Sequence, residues 1–341
     1  MGLDKKIRES ADEQDRVKTL SALASQARTT RELRRLVRLL TDEVDEVKRQ
    51  LVIALGTKGM DPLKLNIISS SRKPHATPVC LWSDWHVDEP VPPEQGHGNE
   101  YSPKIADKRF ERLLSQTVDL VSATQKTHKV TELVVWCGGD FFSGMIHPDL
   151  VEIVQDSPAQ SSLRVYDMLK AGLTYLADQT KLKVLVPCSW GNHGRLTEKP
   201  RVATAGAHNL EQIVFQSLAR DLDNRFQFDV SNTAYKYLEL GNFVIRFNHG
   251  DRGLRYQGGV GGLSIPLHKW KSRLDENRIA HLNVIGHWHQ ARNFGHSLCN
   301  GSMIGTSEYS ASYGHEPPTQ LVAFIDRNRD RIGPVFPLYL D

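Results

Sequence analysis

Apolar positions along the chain fall into two textures. From Thr29 to Leu55 they keep a helical period: Leu33, Val37, Leu40, Val44, Val47 and Leu51 alternate steps of four and three, the seam of a heptad repeat. Thr29 with Glu32 predicts a capping box at the start of this helix. The seam can pack on an earlier helix around Val17 to Leu23, on the body of the chain, or on a second chain. A turn signal, "GTKGMDP", predicts its end, and "SSSRKPHATP" reads as a linker.

Beyond the linker, short apolar runs ("TPVCLWS", "ELVVWC", "KVLVPC", "NFVIRF", "HLNVI") alternate with segments of helical period, notably Lys104 to Ala123, Ser162 to Leu176 and Asn209 to Leu222. Such alternation predicts an α/β domain whose central strands are covered by helices. The last stretch, "LVAFIDRNRDRIGPVFPLYL", reads as a hairpin with Asn328 and Arg329 near its turn. The glycines of "GGVGG", Gly258 to Gly262, lack the G-K-[ST] of a phosphate-binding loop and predict a mobile one. The expected division is a basic helical region over 1–72 and an α/β domain over 73–341.

Composition adds limits. The chain has 341 residues, 39% of them hydrophobic, and a net charge of +3, too small to announce a nucleic-acid binder by itself. The distribution says more: up to Lys73 bases outnumber acids, and Arg28, Arg31, Arg34, Arg35 and Arg38 crowd together. No apolar run approaches the roughly 20 residues of a membrane span, and the charged N-terminus has no signal-peptide core. The four cysteines, Cys80, Cys137, Cys188 and Cys299, form no C-x-x-C pair and read as buried free thiols. A cytoplasmic setting is expected.

Each of the five runs ends in a polar cluster, and in sheets of this class chemistry collects at the strand carboxyl ends. In order the clusters are "SDWH" (Asp84, His86), "GGD" (Asp140), "GNH" (Asn192, His193), "NHGD" (His249) and "GHWH" (His287, His289). If the strands continue through them, residues i and i+2 face one side, so Asp84 with His86, and His287 with His289, present paired donors. Carboxylate, imidazole and amide oxygen suit manganese, iron or zinc without any thiolate. A single carboxylate such as Asp140 can bridge two cations.

The series D-x-H, G-D, G-N-H, H and G-H-x-H, in this order over about Pro78 to Glu308, resembles the calcineurin-like metallophosphoesterase superfamily. The resemblance implies a four-layer αββα sandwich of two mixed sheets with a dinuclear metal site at one edge. It places Asp84, His86, Asp140 and His289 on one divalent metal, and Asp140, Asn192, His249 and His287 on the other. Manganese is favoured, with iron, zinc, nickel or magnesium as alternatives. His193 faces the substrate as the acid that protonates the leaving oxygen. Hydroxide generated between the metals is the implied nucleophile.

Departures narrow the reading. Serine/threonine protein phosphatases continue the second motif as G-D-x-x-D-R-G and the third as G-N-H-E. Here Ser143, Gly144 and Gly194 stand at the matching positions, so the arginine clamp and the carboxylate partner of the catalytic histidine are missing. What remains is similar to the phosphodiesterase and nuclease branch, including double-strand-break repair nucleases and phage-encoded phosphoesterases. Candidate substrate contacts are Arg195 and Arg201 after the third motif, Arg252, Arg255 and Tyr256 after the fourth, and His147 after the second; cations beside an aromatic suit a diester backbone and a stacked base. Trp85 reads as packing against the sheet. The expected function is a two-metal phosphodiesterase acting on nucleic acid, with DNA favoured. The alternatives are a phosphomonoesterase on nucleotides or nucleic-acid 3′ ends, and a DNA-binding or interaction protein with a structural metal site. No membrane partner is expected, and self-association through the N-terminal helix is a further expectation.

Overall fold

Runs that are apolar without alternation are buried on both faces, and they form the parallel heart of a sheet. In the computed structural model, which describes residues 3–56, 73–154, 156–256, 262–311 and 314–341, β1 (Ala76–Trp82), β2 (Glu132–Cys137), β3 (Lys183–Pro187) and β4 (Phe226–Asp229) run parallel, side by side. Every residue of β1 is buried. The expected closing hairpin, β10 (Thr319–Asp326) and β11 (Arg331–Tyr339), adds to β1 in antiparallel fashion, giving the order β11-β10-β1-β2-β3-β4. A second mixed sheet has the order β5-β6-β7-β9-β8, from β5 (Lys236–Leu240), β6 (Phe243–Phe247), β7 (Leu282–Ile285), β8 (Arg292–Asn293) and β9 (Ser297–Cys299).

Side chains of period two assign the layers. Val79, Leu81, Val134 and Trp136 of the first sheet pack on Ile245, Phe247, Leu282 and Val284 of the second. Their neighbours Cys80, Trp82, Val135 and Cys137 point the other way, into a core completed by α2 (Pro103–Thr127), α4 (Pro158–Thr180) and α5 (Leu210–Asp221). On the outer face of the second sheet, Ile285 and Cys299 meet Leu267 and Trp270 of α6 (Ser264–Asp275). The result is the expected αββα sandwich. Local chemistry fixes the helix starts: Ser102 caps α2 ahead of a proline, and Ser157 with Gln160 forms a full capping box on α4. The short helices α3 (Pro148–Ile153) and α7 (Glu308–Ala311) lie in the connecting loops. All four cysteines are free and buried.

The chain divides into two units, Met1–Ser69 and Ser70–Asp341. In the first, α1 is one continuous helix, Leu3–Gly56. This corrects two expectations. Thr29 does not cap a helix start but lies inside one, its hydroxyl donating to the Ser25 carbonyl at 3.0 Å, and Val17 to Leu23 belong to the same rod. The stretch "TLSALASQA" holds no glycine or proline and has strong helix formers on both sides of its serines, so nothing stops the helix before Gly56. Of the expected linker, Ser69 to Arg72 lie outside the described residues, as does most of the Gly258 to Gly262 loop, while Ala76 to Pro78 are not linker but the start of β1. Among the described residues no helix is long and apolar enough to cross a membrane.

Candidate metal centre

The candidate ligands sit just past strand ends: Asp84 and His86 after β1, Asp140 after β2, Asn192 after β3, His249 after β6, His287 and His289 after β7. They do not continue the pleat, and here the strand-spacing argument is corrected. Asp84 (φ 57°), His86 (φ 49°), Asp140 (φ 53°), His287 (φ 69°) and His289 (φ 54°) are all in the left-handed region. Each costs on the order of 1 kcal/mol relative to ordinary backbone, so the surrounding contacts must enforce it. Those contacts are present. Asp84 N–H donates to the Gly139 carbonyl (2.9 Å), His86 N–H to the Asp140 carbonyl (3.2 Å), and His287 N–H to Asp84 Oδ1 (2.9 Å). Glycines let the loops close: a Cβ on Gly191 would lie 2.0 Å from Asp140 Oδ1, and one on Gly286 2.4 Å from Asp84 Oδ2.

Among the described residues three overlapping groups of donor atoms result: Asp84, His86 and His289; His86, Asp140 and His193; Asp140, His249 and His287. Within each the atoms lie within 4.8 Å of one another. His249 Nε2 is 2.8 Å from Asp140 Oδ2, yet it has no hydrogen-bond partner of acceptable geometry. Against burial, which lowers it, the Asp140 carboxylate raises His249 well above the usual imidazole range, so a cation at this position would displace that proton. His86 Nε2, His289 Nδ1 and Asn192 Oδ1 are likewise buried without partners. A buried polar atom left unsatisfied costs about 1–3 kcal/mol, and where such atoms belong to the clustered donors, as His86 Nε2 and His249 Nε2 do, a divalent cation would satisfy them. The opposite ring atoms are already used: His249 Nδ1 donates to the Gly138 carbonyl at 2.7 Å, and His86 Nδ1 lies 2.8 Å from Ser143 Oγ. Outer contacts of this kind fix ring orientation and tautomer at metal sites.

Burial, and secondarily neighbouring His249, pushes His287 down to about 3; burial does the same for His289. Both imidazoles are therefore neutral, with lone pairs available to a cation. Asp140, despite the cost of its burial, is held well below the usual carboxylate range by His249 and His193. Burial raises Asp84 to about 7, against the pull of His249.

His193 is half-buried and held in a way the motif comparison does not anticipate. Its Nδ1 lies 2.7 Å from the main-chain carbonyl of Ser143, and its own N–H donates to Asp140 Oδ1 at 2.8 Å. The carboxylate partner of the phosphatases is replaced by a peptide oxygen. Ser143 does more: its Oγ donates to Glu89 (2.5 Å), and its N–H donates to Asp88 (2.7 Å), which also accepts from Ser161 Oγ. Glu211, at the start of α5, accepts from Phe141 N–H (2.8 Å) and Gly191 N–H (2.7 Å), joining the second and third motif loops. A Cβ on Gly194 would lie 2.9 Å from Glu211 Cγ and 2.5 Å from Asn209 Oδ1. The space where the phosphatase motif has its glutamate is thus filled from α5. Asp88 and Glu89 stand directly behind D-x-H in the sequence, a signal that was readable. Glu211 carries only a helix-start signature.

The candidate substrate residues are arranged less tightly. Arg195 donates to the carbonyls of Asn192, Thr197 and Glu198 and so braces its own loop, while Arg252 donates to those of Arg201 and Val202 and so ties the loop after the fourth motif to the one after the third. Arg201 and Arg255 are exposed, with Arg201 Nη1 3.4 Å from His208 Nε2. Tyr256 lies against Trp288, ring centroids 6.1 Å apart. His147 is the backbone N-cap of α3 without a side-chain cap bond, its ring 5.8 Å from that of His193. A pocket of about 310 Å³ opens beside His193, lined by Met145, Ile146, Leu196 and Leu210 together with Arg195. Trp85 is fully buried against Phe110 and Phe141, as expected of a packing residue.

No protein-family model matches the chain, and no curated protein matches it. Among solved structures, a single mutant of Vps29 from Entamoeba histolytica overlaps 77% of this chain and 99% of its own, at 12% identity and a TM-score of 0.32. Chaetomium thermophilum Vps29 overlaps 76% and 95%, at 9% identity and 0.29. The sulfate thiohydrolase SoxB of Thermus thermophilus, in complex with glycerol, overlaps 77% and 56%, at 12% identity and 0.33. Overlaps at these scores carry no argument about function.

Proposed function

We propose that the chain is a two-metal phosphoesterase that hydrolyses phosphodiester bonds of nucleic acid, with DNA the favoured substrate. One observation carries the reading: Asp84, His86 and His289, and Asp140, His249 and His287, each bring one donor atom within 4.8 Å of the others, largely on left-handed backbone, and His86 Nε2 and His249 Nε2 are buried there without hydrogen-bond partners. Asp84, His86, Asp140 and His289 would hold one cation, and Asp140, Asn192, His249 and His287 the other. Bound cations of this kind lower the pKa of water and neutralise phosphoryl oxygens.

The remaining chemistry belongs to the chain. Asp140 lies between the two ligand groups, and its Oδ1 also accepts from the His193 main chain, so ligand and acid are positioned together. Donation from His193 Nδ1 to the Ser143 carbonyl leaves Nε2 to face the leaving oxygen, and the protonated ring transfers that proton as the P–O bond breaks. Gly144 supports a diester over a monoester, because it stands where the phosphatases carry the arginine that grips a terminal phosphate. The exposed Arg201 and Arg255 are available to flanking phosphates. Manganese-loaded protein should cleave bis-p-nitrophenyl phosphate and DNA, and His86→Ala or Asp140→Asn should abolish both. Rapid turnover of p-nitrophenyl phosphate without diester cleavage overturns the proposal in favour of a monoesterase.

A further inference from the structure

The first unit of the chain has an apolar face that nothing described covers. Along α1, Leu33, Val37, Leu40, Val44, Val47 and Leu51 are between 49% and 62% exposed, and their spacing places all six on one stripe. A helix of 54 residues spans about 80 Å at 1.5 Å per residue, and most helical stability in proteins comes from packing an apolar face. The stripe therefore requires a partner.

Heptad positions identify which partner. With Val37, Val44 and Leu51 at a, and Leu33, Leu40 and Val47 at d, β-branched residues dominate a and leucine dominates d, the combination that favours two parallel strands. The flanking positions agree. Glu43 falls at g and Lys48 at e, so a parallel in-register pair sets Glu43 of each helix against Lys48 of the other. The antiparallel pair sets Glu43 against its own copy and Arg34 against Lys48, both repulsive. Among the described residues of its own helix, Lys48 pairs with Asp45 at 3.7 Å on an exposed face, a contact worth little. Arg28, Arg31, Arg35 and Arg38 fall at b and f, away from the seam, and do not oppose one another across it.

We infer that α1 is an interaction surface for a second copy of this chain, forming a parallel two-stranded coiled coil over residues 33–51. The full-length protein should sediment as a dimer at micromolar concentration, and Val44→Asp should convert it to a monomer. Glu43→Lys should weaken the dimer, because it opposes two lysines, and the double variant Glu43→Lys/Lys48→Glu should restore it. Leu33→Cys should cross-link to its own copy on oxidation, which the antiparallel pair cannot do because it sets position 33 against 51; the four native thiols are buried and do not compete. Far-UV circular dichroism of each variant separates lost association from lost folding. A monomeric wild-type chain overturns the inference, with the seam then covered by the chain's own body or by another protein. A dimer indifferent to Glu43→Lys, or no cross-link at position 33, overturns the parallel arrangement.

Discussion

Gly191→Ala tests the proposed centre with one methyl group. The φ of Gly191 is not one that glycine alone tolerates, so the substitution is purely steric. The added Cβ would lie 2.0 Å from Asp140 Oδ1, 2.4 Å from Asp140 N and 2.6 Å from Asp140 Cγ, where ordinary contact begins at 3.4 Å. Two of these atoms belong to the carboxylate common to both ligand groups and the third is backbone, so flexing a side-chain end does not relieve the clash. Asp140 or the third motif loop must move by roughly 1 Å, and a displacement of that size costs about 100-fold in rate. Movement of the loop also strains the Gly191 N–H bond to Glu211. The expected result is a fall of about 100-fold in kcat/KM for bis-p-nitrophenyl phosphate with manganese, alongside a far-UV spectrum like that of the parent. Metal affinity, read by calorimetry, should fall with it. A variant within about 3-fold of the parent in both measurements would refute the placement of Asp140 at the centre, since the methyl group has nowhere else to go.

Ser143→Ala removes the hydroxyl between His86 and Glu89 but keeps the carbonyl that holds His193; metal affinity or activity should fall by roughly 10- to 100-fold, and an unchanged titration would remove Ser143 from the ligand support. His193→Ala should cost about 100- to 10,000-fold on DNA, where the leaving oxygen needs a proton, and much less on p-nitrophenyl esters, whose leaving group does not; equal losses on both would deny it the acid role. Burial lowers His287 and His289 from 6.5 to about 3, so between those values the unfolded chain binds protons that the folded one does not. For these two groups stability is present above about pH 6.5 and is lost as pH falls toward 3. Asp84, raised to about 7, and Glu211, raised to about 8, titrate in the opposite sense over much of the same window, so the imidazole contribution is read as the difference between thermal melts of the metal-free parent and His289→Gln, and equal slopes would contradict it. Manganese at about 100 times its dissociation constant should stabilise the chain by about 2.7 kcal/mol, reversed by EDTA; melts indifferent to both would speak against a metal site.

The sheets were legible because their strands are buried on both faces, which makes "ELVVWC" or "KVLVPC" unambiguous. The candidate ligands were legible because each ends such a run. Their conformation was not: strand spacing accounts for pairs such as His287 and His289 on one side, whereas the structure achieves convergence with left-handed loops closed by glycines. Glu211 escaped notice because it acts through two main-chain N–H groups, and such contacts leave no motif. Thr29 misled because the signature of a helix start also fits a helix interior whose threonine bonds back four residues.

The peptide oxygen that holds His193 carries a consequence for how this protein can change. A carboxylate in that position can be exchanged by a single codon, and the basicity of the ring would shift with it. A main-chain acceptor has no such handle, since every residue at position 143 brings the same carbonyl. Retuning the acid would require rerouting the loop by insertion or deletion between Asp140 and His147, so among close descendants that loop's length should vary less than its composition.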